Sequence, residues 1–382
     1  MILRTLRLHG FRAHHDTHVG FAPAVNLLYG PNGAGKTNVL EAVHYLCLTK
    51  SFLSGQDIYA VRKGAPFFEV EGTFTGERRA ELKVRLVYVP DEGKRVFVNG
   101  APLERLADLV GMLPVVVFSP EDGVLTSGGP DERRRFLNNI LSQSRPVYLD
   151  DTLHYRRALR QRNELLMDAR RTRRALPPDV LAAWDAELIA LGSRIVAARL
   201  RFIEGFRAYL QTAYEHIAAV AERPSMRYTS IAPLDEGDDE ASVAEKYRAQ
   251  LRRVAQRERD RGQTLIGPHR DELVFYLDDF EVRRYASQGQ HRTFGMALKL
   301  AKYFYLKDAL SETPILLLDD IVDHLDERRS EAFLSLICSD AIGQSLITST
   351  RLQPFEGVVP FDMPSHRALS VAAGSVEAGE QV

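Results

Sequence analysis

The stretch "LLYGPNGAGKTNVLEA" at residues 27–42 decides the fold of this chain. It fits the pattern G-x-x-x-x-G-K-[ST] at every fixed position, between an apolar strand-like run and a run with helical spacing. Glycines allow positive φ, so successive backbone N–H groups can point at one anion, and the helix N-terminus adds partial positive charge. The sequence therefore predicts a phosphate-binding loop between a strand and a helix. The predicted nucleotide-binding residues are Gly30, Pro31, Asn32, Gly33, Ala34, Gly35, Lys36, Thr37 and Asn38.

Two aspartates follow the apolar run "ILLL" at residues 315–318. A carboxylate at the C-terminal end of a buried strand lies where α/β sheets bind ligands. Lys36 is predicted to contact the β- and γ-phosphates of ATP, and the Thr37 hydroxyl is predicted to bind Mg²⁺ together with Asp319. Asp320 is predicted to orient or activate the attacking water, which makes Asp320 and Lys36 the predicted catalytic residues. An Asp pair that merely caps the next helix or turn is the alternative.

A second anion-binding element is predicted in "YASQGQHRTFGMALKLAKYFYL", which starts at Tyr285. Ser287 and Gly289 head an amphipathic helix; serine is a good N-cap, and glycine lets another backbone approach closely. One ATP does not need two such elements from one subunit. A head-to-tail dimer does, if each copy closes Ser287, Gly289 and Gln290 on the nucleotide held by the other. An ordinary capped helix is the alternative.

The remaining segments predict one α/β core interrupted by helices. Residues 1–144 and 262–382 are predicted to form the two halves of the core, and residues 145–261 a mainly helical insertion broken at Pro177-Pro178. The stretch "RALSVAAGSVEAG" is predicted to be a last short strand and a frayed tail. One apolar side is predicted for the helix after the phosphate loop, formed by Val39, Leu40, Val43, Leu46 and Cys47.

Composition excludes several classes of protein. No run of about 18 apolar residues appears, so no membrane span is predicted. The chain has two cysteines, Cys47 and Cys338, which argues against a disulfide framework or a zinc site and favours a reducing cytoplasm. The formal net charge is −1, so binding to nucleic acid would need a local basic surface.

The three elements together resemble the ATP-binding-cassette ATPases. The sequence "ASQGQ" at residues 286–290 is similar to their signature, and "DHLD" at residues 323–326 is similar to their D-loop, with aspartate in place of the usual serine. Within that superfamily, "FSPEDGVLTSGGPDERRRFLN" at residues 118–138, "LIGPHRDEL" at residues 265–273 and the signature helix resemble the RecF family of bacterial DNA-repair proteins. This resemblance covers nearly the whole chain.

The resemblance implies an α/β fold of the cassette-ATPase type: a P-loop head with a mixed sheet, flanking helices and an inserted helical lobe. It implies an ATP-dependent clamp that forms a head-to-tail homodimer on double-stranded and gapped single-stranded DNA. Hydrolysis would be weak and DNA-dependent. The implied partners are RecR and RecO, and indirectly RecA, in cytoplasmic repair and the SOS response, without a membrane.

Some positions depart from these patterns. Transport cassettes usually place a histidine after the strand that follows the aspartates, where this chain has Thr348-Ser349-Thr350. The missing histidine, and aspartate instead of glutamate at Asp320, predict slow hydrolysis. Asn138 stands where the RecF resemblance leads one to expect aspartate.

Further candidates have less specific signals. Arg12 is predicted to pack on the adenine or reach a phosphate, with a solvated strand end as the alternative. His269 and Arg270 could sense nucleotide or DNA, or form a structural turn. Several arginines of the helical insertion are candidates for contacts with duplex phosphates, with solvated helix faces as the alternative. They are Arg156, Arg157, Arg160, Arg162, Arg170, Arg171, Arg173, Arg174, Arg252, Arg253, Arg257 and Arg259. Residues 133–135 are further candidates, with pairing to the adjacent acidic residues as the alternative.

Two other classes of function remain open at this stage. The ATPase subunit of a transporter would carry a histidine after "SLIT" and a compact head without a long helical lobe. A metabolic kinase with the same phosphate loop would carry a substrate lid and no "SQGQ" helix. Neither expectation matches this sequence.

Overall fold

A computed structural model describes residues 1–78, 80–173, 178–218, 222–235, 237–321 and 327–378. The strands are β1 (Ile2–Phe11), β2 (His14–Gly20), β3 (Val25–Tyr29), β4 (Phe68–Thr75), β5 (Leu82–Val89), β6 (Gly93–Val98), β7 (Ala101–Pro102), β8 (Val115–Phe118), β9 (Pro224–Thr229), β10 (Glu272–Leu277), β11 (Phe280–Glu281), β12 (Ile315–Leu318), β13 (Ser345–Ser349), β14 (Arg367–Ala372) and β15 (Ser375–Ala378). The helices are α1 (Lys36–Leu48), α2 (Val124–Ser127), α3 (Pro130–Ser144), α4 (Pro146–Thr172), α5 (Pro178–Ile217), α6 (Glu240–Arg261), α7 (Val282–Tyr285), α8 (Gln288–Leu310) and α9 (Glu327–Ile337).

The chain divides into two compact units. The first comprises Met1–Asp122, Thr212–Ala221 and Gly295–Val382, and the second comprises Gly123–Gln211 and Glu222–Phe294. The second unit therefore covers more of the chain than the inserted lobe predicted from the sequence, which spans residues 145–261. The predicted bounds follow the start and end of the long helical pattern, whereas α3 packs on α4 and β10 and is thereby drawn into the second unit.

The first unit contains two six-stranded sheets. One is antiparallel, in the order β2-β1-β4-β5-β6-β7, and the other has the order β15-β14-β3-β13-β12-β8. In the second sheet β14, β3, β13, β12 and β8 run parallel, and β15 is antiparallel to β14. Strands β3, β13 and β12 are consecutive neighbours. The loops that follow them therefore meet at one edge, where parallel sheets bind ligands.

Helix α1 lies between the two sheets of the first unit, in contact with β1, β4 and β5 of one and β13 of the other. Buried residues occur on every side of the helix. They include Lys36, Glu41, His44 and Tyr45 as well as the apolar set predicted from the sequence. The prediction of one apolar side was therefore too narrow. A helix sandwiched between two sheets has no solvent face, so its sequence is apolar almost all round.

The C-terminal segment forms a hairpin. The sequence-based prediction gave one last strand and a frayed tail, but β14 and β15 pair from Leu369 with Ala378 to Ala372 with Ser375. The turn residues Ala373 and Gly374 both have positive φ, which suits a tight two-residue hairpin loop. The prediction missed β15 because its alternation of apolar and polar residues spans only four residues.

The second unit combines α2, α3, α4, α6, α7 and most of α5 with the antiparallel sheet β11-β10-β9. Helix α4 ends at Thr172, and α5 begins at Pro178, because proline is well tolerated in the first turn of a helix. Residues 174–177, which include Pro177 of the predicted break, lie outside the described residues. Apolar side chains of α5 and α6 pack around Tyr247 and Leu251. No helix within the described residues is long and apolar enough to cross a membrane. Cys47 and Cys338 are free.

Candidate nucleotide site

Strand β3 leads into the predicted phosphate loop, and α1 begins directly after it. Three glycines of the loop have positive φ: 148° at Gly30, 77° at Gly33 and 108° at Gly35. Gly35 is the N-cap of α1 and offers no side-chain cap, so the first N–H groups of the helix are left for a ligand. The loop thus has the left-handed backbone that aims N–H groups at one anion, as the pattern predicts.

The C-terminal hairpin lies directly behind this loop. A Cβ on Gly30 would come 2.2 Å from the carbonyl oxygen of Val371 in β14, so only glycine fits there. The N–H of Gly374 in the hairpin turn donates to the carbonyl of Ala34, at 3.0 Å. The hairpin therefore holds the phosphate loop from more than 330 positions away along the chain, a contact that no local sequence pattern indicates.

His14 is a second support of the loop that the sequence analysis missed. Its buried ring places Nε2 3.1 Å from the carbonyl oxygen of Gly35 and Nδ1 2.9 Å from that of Gly374. Burial lowers the pKa of His14. A neutral ring has one N–H, so His14, the first residue of β2, donates to one of these carbonyls at a time while it packs between the loop and the hairpin. The neighbouring His15 is exposed, and nothing in the sequence distinguishes this exposed histidine from the buried His14.

The four residues predicted to carry the chemistry share the C-terminal edge of the parallel sheet. Lys36 is 5% exposed, and its Nζ donates to the carbonyls of Gly30 and Pro31 at 2.9 and 3.1 Å. The Thr37 hydroxyl donates to Oδ1 of Asp319 at 2.8 Å. Lys36 thus lies folded over the loop, and a hydroxyl and a carboxylate that were predicted as magnesium ligands are in direct contact.

The aspartates lie side by side in different surroundings. Asp319 is 7% exposed, and burial raises the pKa of its carboxyl although hydrogen bonds from Thr37 and Thr348 lower it. Asp320 is half-buried and has a φ of 49°, in the left-handed region that few non-glycine residues occupy. The Asp319 carboxylate therefore faces the phosphate loop from inside the fold, and the Asp320 carboxylate lies at the edge of the sheet. The predicted D-loop at residues 323–326 lies outside the described residues.

Arg12 is placed beside α1 by a left-handed backbone, with φ of 52°. Its guanidinium forms two hydrogen bonds with the Glu41 carboxylate, at 2.8 and 2.6 Å, and a third with the carbonyl of Tyr59 at 2.7 Å. Such a bidentate pair fixes the planar guanidinium. Its role toward adenine or phosphate stays a prediction.

Ser287 and Gln290 form a capping box at the start of α8. The Ser287 hydroxyl accepts from the Gln290 N–H at 3.2 Å, and the Gln290 side-chain oxygen accepts from the Ser287 N–H at 2.8 Å. The Gln290 amide also donates to Glu222 at 2.7 Å. Ser287 is exposed. The predicted N-cap is therefore present, and the hydroxyl proton remains available for an external acceptor, because Oγ acts as an acceptor in the cap.

A buried ion pair explains the "GPHRDE" motif. Arg199 is 3% exposed, and its guanidinium donates to Asp271 at 2.6 Å, to the Pro268 carbonyl at 2.8 Å and to Asn138 Oδ1 at 3.0 Å. Tyr228 donates a further hydrogen bond to Asp271. Asn138 thus supplies a neutral acceptor, which leaves one buried guanidinium balanced by one carboxylate.

His269 belongs to the same structural turn. Its Nδ1 lies 2.8 Å from the Tyr155 hydroxyl, and its Nε2 lies 3.4 Å from the carbonyl of Thr264. These partners fit a neutral ring that accepts at Nδ1 and donates at Nε2. A Cβ on Gly267 would come 2.2 Å from the Tyr155 hydroxyl, so the turn requires glycine. These contacts favour the structural-turn interpretation for His269, while Arg270 is exposed.

The half-buried ring of His269 predicts acid sensitivity. Burial lowers its pKa to about 4, below the value of about 6.5 in an unfolded chain. The unfolded state therefore binds more protons between these values, and this contribution to stability is present above pH 6.5 and is lost as the pH falls toward 4. We expect His269 to account for about 2 kcal/mol of the stability lost between pH 7.5 and 5.

Urea unfolding of the wild type and of His269→Gln at pH 7.5 and 5 measures this contribution. The variant should lose less stability on acidification than the wild type. His18→Gln, which changes an exposed histidine, is the control and should leave the pH dependence unaltered. An equal loss in wild type and His269→Gln would show that His269 is not the group that titrates.

Burial separates the candidate DNA-binding arginines into two sets. Arg162 is 2% exposed and pairs with Asp185 and Glu258, both at 2.7 Å, and Arg133 is 3% exposed and pairs with Glu272. Both side chains are held in ion pairs inside the fold, so neither remains a candidate for contacts with duplex phosphates. Arg174 lies outside the described residues. The exposed set is Arg135, Arg156, Arg157, Arg160, Arg170, Arg171, Arg173, Arg252, Arg253, Arg257 and Arg259. Arg134 is half-buried, and Arg134 and Arg135 pair with the adjacent acids Asp131 and Glu132.

Comparison with known proteins finds a family model and relatives that match over nearly the whole chain. A family model described as RecF/RecN/SMC N terminal domain matches residues 2–362. The DNA replication and repair protein RecF of Salinibacter ruber is 59% identical over 375 residues, which cover 98% of this chain and 91% of that protein. RecF of Chloroherpeton thalassium is 45% identical, with 94% of this chain and 97% of that protein covered.

Two solved structures superpose on this chain. The recombination mediator protein RecF-ATP in the RecFOR pathway superposes with a TM-score of 0.91 at 28% identity, over 99% of this chain and 97% of that one. A Smc head domain from Pyrococcus furiosus bound to the C-terminal domain of ScpA superposes with a TM-score of 0.57 at 15% identity, over 99% of this chain and 96% of that one, which shows the fold alone.

The fold and the site therefore define an ATPase head of the SMC type, which confirms the predicted α/β head with an inserted helical region. The chain belongs to the RecF/RecN/SMC family, in its RecF branch. The RecF resemblance drawn from the sequence is thus confirmed, and the hypotheses of a transporter subunit and of a metabolic kinase lose their support.

Proposed function

We propose that this chain is an ATP-dependent DNA-binding clamp that acts in recombinational repair and replication. ATP joins two copies head to tail, and slow hydrolysis separates them. One observation carries the proposal: the phosphate loop beside Asp319 and the exposed, capped Ser287 helix occur on the same chain. Each is half of a nucleotide site, so two copies complete two sites.

Lys36 and the backbone of the phosphate loop bind the phosphates of ATP. Lys36 already lies over the loop through the carbonyls of Gly30 and Pro31, and it exchanges these acceptors for β- and γ-phosphate oxygens. Asn38 follows at the start of α1, where its N–H bonds to the Gly35 carbonyl at 3.0 Å. Arg12 lies at the side of α1 and contacts the adenosine part.

Thr37 and Asp319 hold Mg²⁺. Their oxygens are 2.8 Å apart, and a hydroxyl with a carboxylate, completed by phosphate oxygens and water, is a donor set that suits this cation. When bound, Mg²⁺ neutralises charge that develops on the phosphates. Asp320 orients the attacking water. Asp320 is half-buried at the edge of the sheet, so a water molecule can reach its carboxylate but cannot reach the buried Asp319 carboxylate.

Ser287, Gly289 and Gln290 close on the nucleotide held by the second copy. The cap leaves the Ser287 hydroxyl proton free for a γ-phosphate oxygen, and the N-terminus of α8 adds partial positive charge. Gly289 permits close approach, and Gln290 braces the turn through Glu222. Hydrolysis removes this γ-phosphate, so the two copies separate.

DNA binds through the exposed arginines of α4 and α6. Contacts are mainly to phosphates, so binding is salt-sensitive and depends weakly on sequence. The preferred target is duplex DNA beside a single-stranded gap, and DNA stimulates the weak hydrolysis. The solved relative is a recombination mediator in the RecFOR pathway. From this relationship we infer cooperation with RecR and RecO, loading of RecA at gaps, a part in the SOS response and a cytoplasmic location.

Ser287→Arg tests the composite site. The variant places a bulky cation where the second copy's nucleotide must enter, so we expect loss of ATP-induced dimerisation and at least about a 100-fold loss of hydrolysis. Light scattering measures the dimer in ATP and in ADP, and fluorescence anisotropy measures binding to a labelled gapped duplex at two salt concentrations. Wild type should bind DNA tightly only with ATP and less tightly at higher salt.

Two further variants serve as controls, one for the lost cap, which costs about 1 kcal/mol, and one for an arginine placed at an exposed serine. Ser287→Asp keeps an N-cap but repels the γ-phosphate, so it should also abolish the dimer. Ser339→Arg changes an exposed serine at the end of α9 and should behave as wild type. Survival of ATP-driven dimers in both Ser287 variants would contradict the composite site, and absence of DNA binding in wild type would contradict the clamp.

A further inference from the structure

Thr348 lies near the end of β13, the strand between the one that leads into the phosphate loop and the one that leads into the aspartates. Strand β13 pairs with β3, which leads into the phosphate loop, and with β12, which leads into the aspartates. Thr348 is opposite Leu28 of β3, and its neighbour Ile347 is opposite Leu318 of β12. Its side chain is 0% exposed. Any effect it has on a bound nucleotide must therefore pass through the groups that surround it.

The Thr348 hydroxyl connects both aspartates. Its oxygen accepts a hydrogen bond from the Asp320 N–H at 2.9 Å, and it donates to Oδ1 of Asp319 at 2.9 Å, with Oδ1 of Asp320 at 3.2 Å. A hydroxyl has one proton, so it donates to one of these carboxylates at a time. The same Oδ1 of Asp319 accepts from Thr37 at 2.8 Å. Two hydroxyls thus fix how Asp319 is turned.

The backbone of Asp320 needs such a support. Its φ of 49° is in the left-handed region, which costs a non-glycine residue about 1–2 kcal/mol. A strained backbone of this kind persists only where its surroundings hold it. The hydrogen bond from the Asp320 N–H to the Thr348 hydroxyl is such a restraint, because it fixes the peptide on the N-terminal side of the strained φ.

We propose that Thr348 is a positioning residue for ATP hydrolysis, whose hydroxyl holds Asp320 toward the attacking water and Asp319 toward Thr37. The inference rests on the proposed hydrolysis at this site. Transport cassettes place a histidine in this region of the chain. A fully buried threonine gives a different solution, in which a residue near the end of β13 anchors the two carboxylates and does not itself contact the γ-phosphate.

Thr348→Val removes the hydroxyl and keeps the shape of the side chain. We expect the affinity for a fluorescent ATP analogue and the KM to stay within about 2-fold, and kcat to fall by about 10- to 100-fold, because misplaced catalytic groups lose rate and not binding. Thr348→Ser keeps the hydroxyl and should restore kcat to within about 3-fold of wild type. If packing of the methyl group were what matters, valine would be tolerated and serine would not.

Thr152→Val is the matched control. Thr152 is also a buried threonine, but its hydroxyl has no hydrogen-bond partner among the described residues, so its removal should leave kcat unchanged. Wild-type kcat in Thr348→Val would overturn the inference while the proposed function stands.

Crystal structures of wild type and Thr348→Val give a readout besides activity. We expect Asp320 to leave its left-handed backbone, or its carboxylate to rotate, in the variant. Unchanged aspartates would overturn the inference. If wild type binds ATP without hydrolysing it, the proposed function fails, and the structures still decide whether Thr348 holds the pair.

Discussion

Replacing Lys36 with methionine is expected to weaken ATP binding by about 100-fold, equivalent to about 2.7 kcal/mol. The Lys36 ammonium lies over the loop, where it donates to the carbonyls of Gly30 and Pro31. Hydrogen bonds that involve a charged group contribute about 1.5–3 kcal/mol each, so loss of this donor removes a large part of the binding to phosphate. Titration with a fluorescent ATP analogue, followed by anisotropy, measures the effect.

Lys83→Met is the matched control for this prediction. Lys83 is a half-exposed lysine that pairs with Glu71 across the antiparallel sheet, and exposed pairs contribute little. Its replacement should leave ATP binding unchanged. Binding of ATP to Lys36→Met with wild-type affinity would mean that the loop does not hold the phosphates, and the assignment of this edge of the sheet as the nucleotide site would fail.

Arg199→Met is expected to give the largest loss of stability, about 3–5 kcal/mol, in the second unit. Asp271 is 2% exposed, and burial raises the pKa of its carboxyl although Arg199 lowers it. Without the guanidinium, the carboxylate remains buried, and its donors among the described residues are the hydroxyls of Tyr228 and Ser230. Asn138, a neutral acceptor, also loses its Arg199 donor. Urea unfolding and limited proteolysis measure the loss.

The same substitution at an exposed arginine controls for this result. Arg171 has a side chain that is 80% exposed and pairs with Asp168, so Arg171→Met should cost less than about 0.5 kcal/mol. The double variant Arg199→Met with Asp271→Asn removes the stranded charge and should recover about 1–2 kcal/mol. Equal losses at the two arginines, or no recovery in the double variant, would contradict a buried ion pair as the cause.

The nucleotide-binding half of the site could be predicted because its chemistry is contiguous in the chain. A strand, a glycine loop and a helix in direct succession place Lys36 and Thr37 without any distant contact. The Ser287 cap is local for the same reason, since its partner Gln290 is three residues away. The supports of the loop could not be predicted. His14 and the turn at Gly374 reach it only through the folded sheets.

The arginines of α4 show that a prediction of surface residues from the sequence has the same limit. Arg160 and Arg162 are two residues apart in one basic run, yet Arg160 is exposed and Arg162 is buried. Helix periodicity indicates that they face different directions, but a run of arginines suggests a solvated or DNA-facing helix for both. The carboxylates that pair with Arg162 come from α5 and α6, 23 and 96 residues away. Their position is decided by packing of the helices.

By itself, the sequence determined the kind of protein: a phosphate loop, an aspartate strand and a capped signature helix in a fixed order, because each motif is built from neighbouring residues. The tertiary structure alone decided how these motifs meet. Thr37 and Asp319 touch across 282 positions because β13 lies between β3 and β12 in the sheet. The same strand order places Thr348 against both aspartates, since burial and pairing depend on which distant segments share an edge of a sheet.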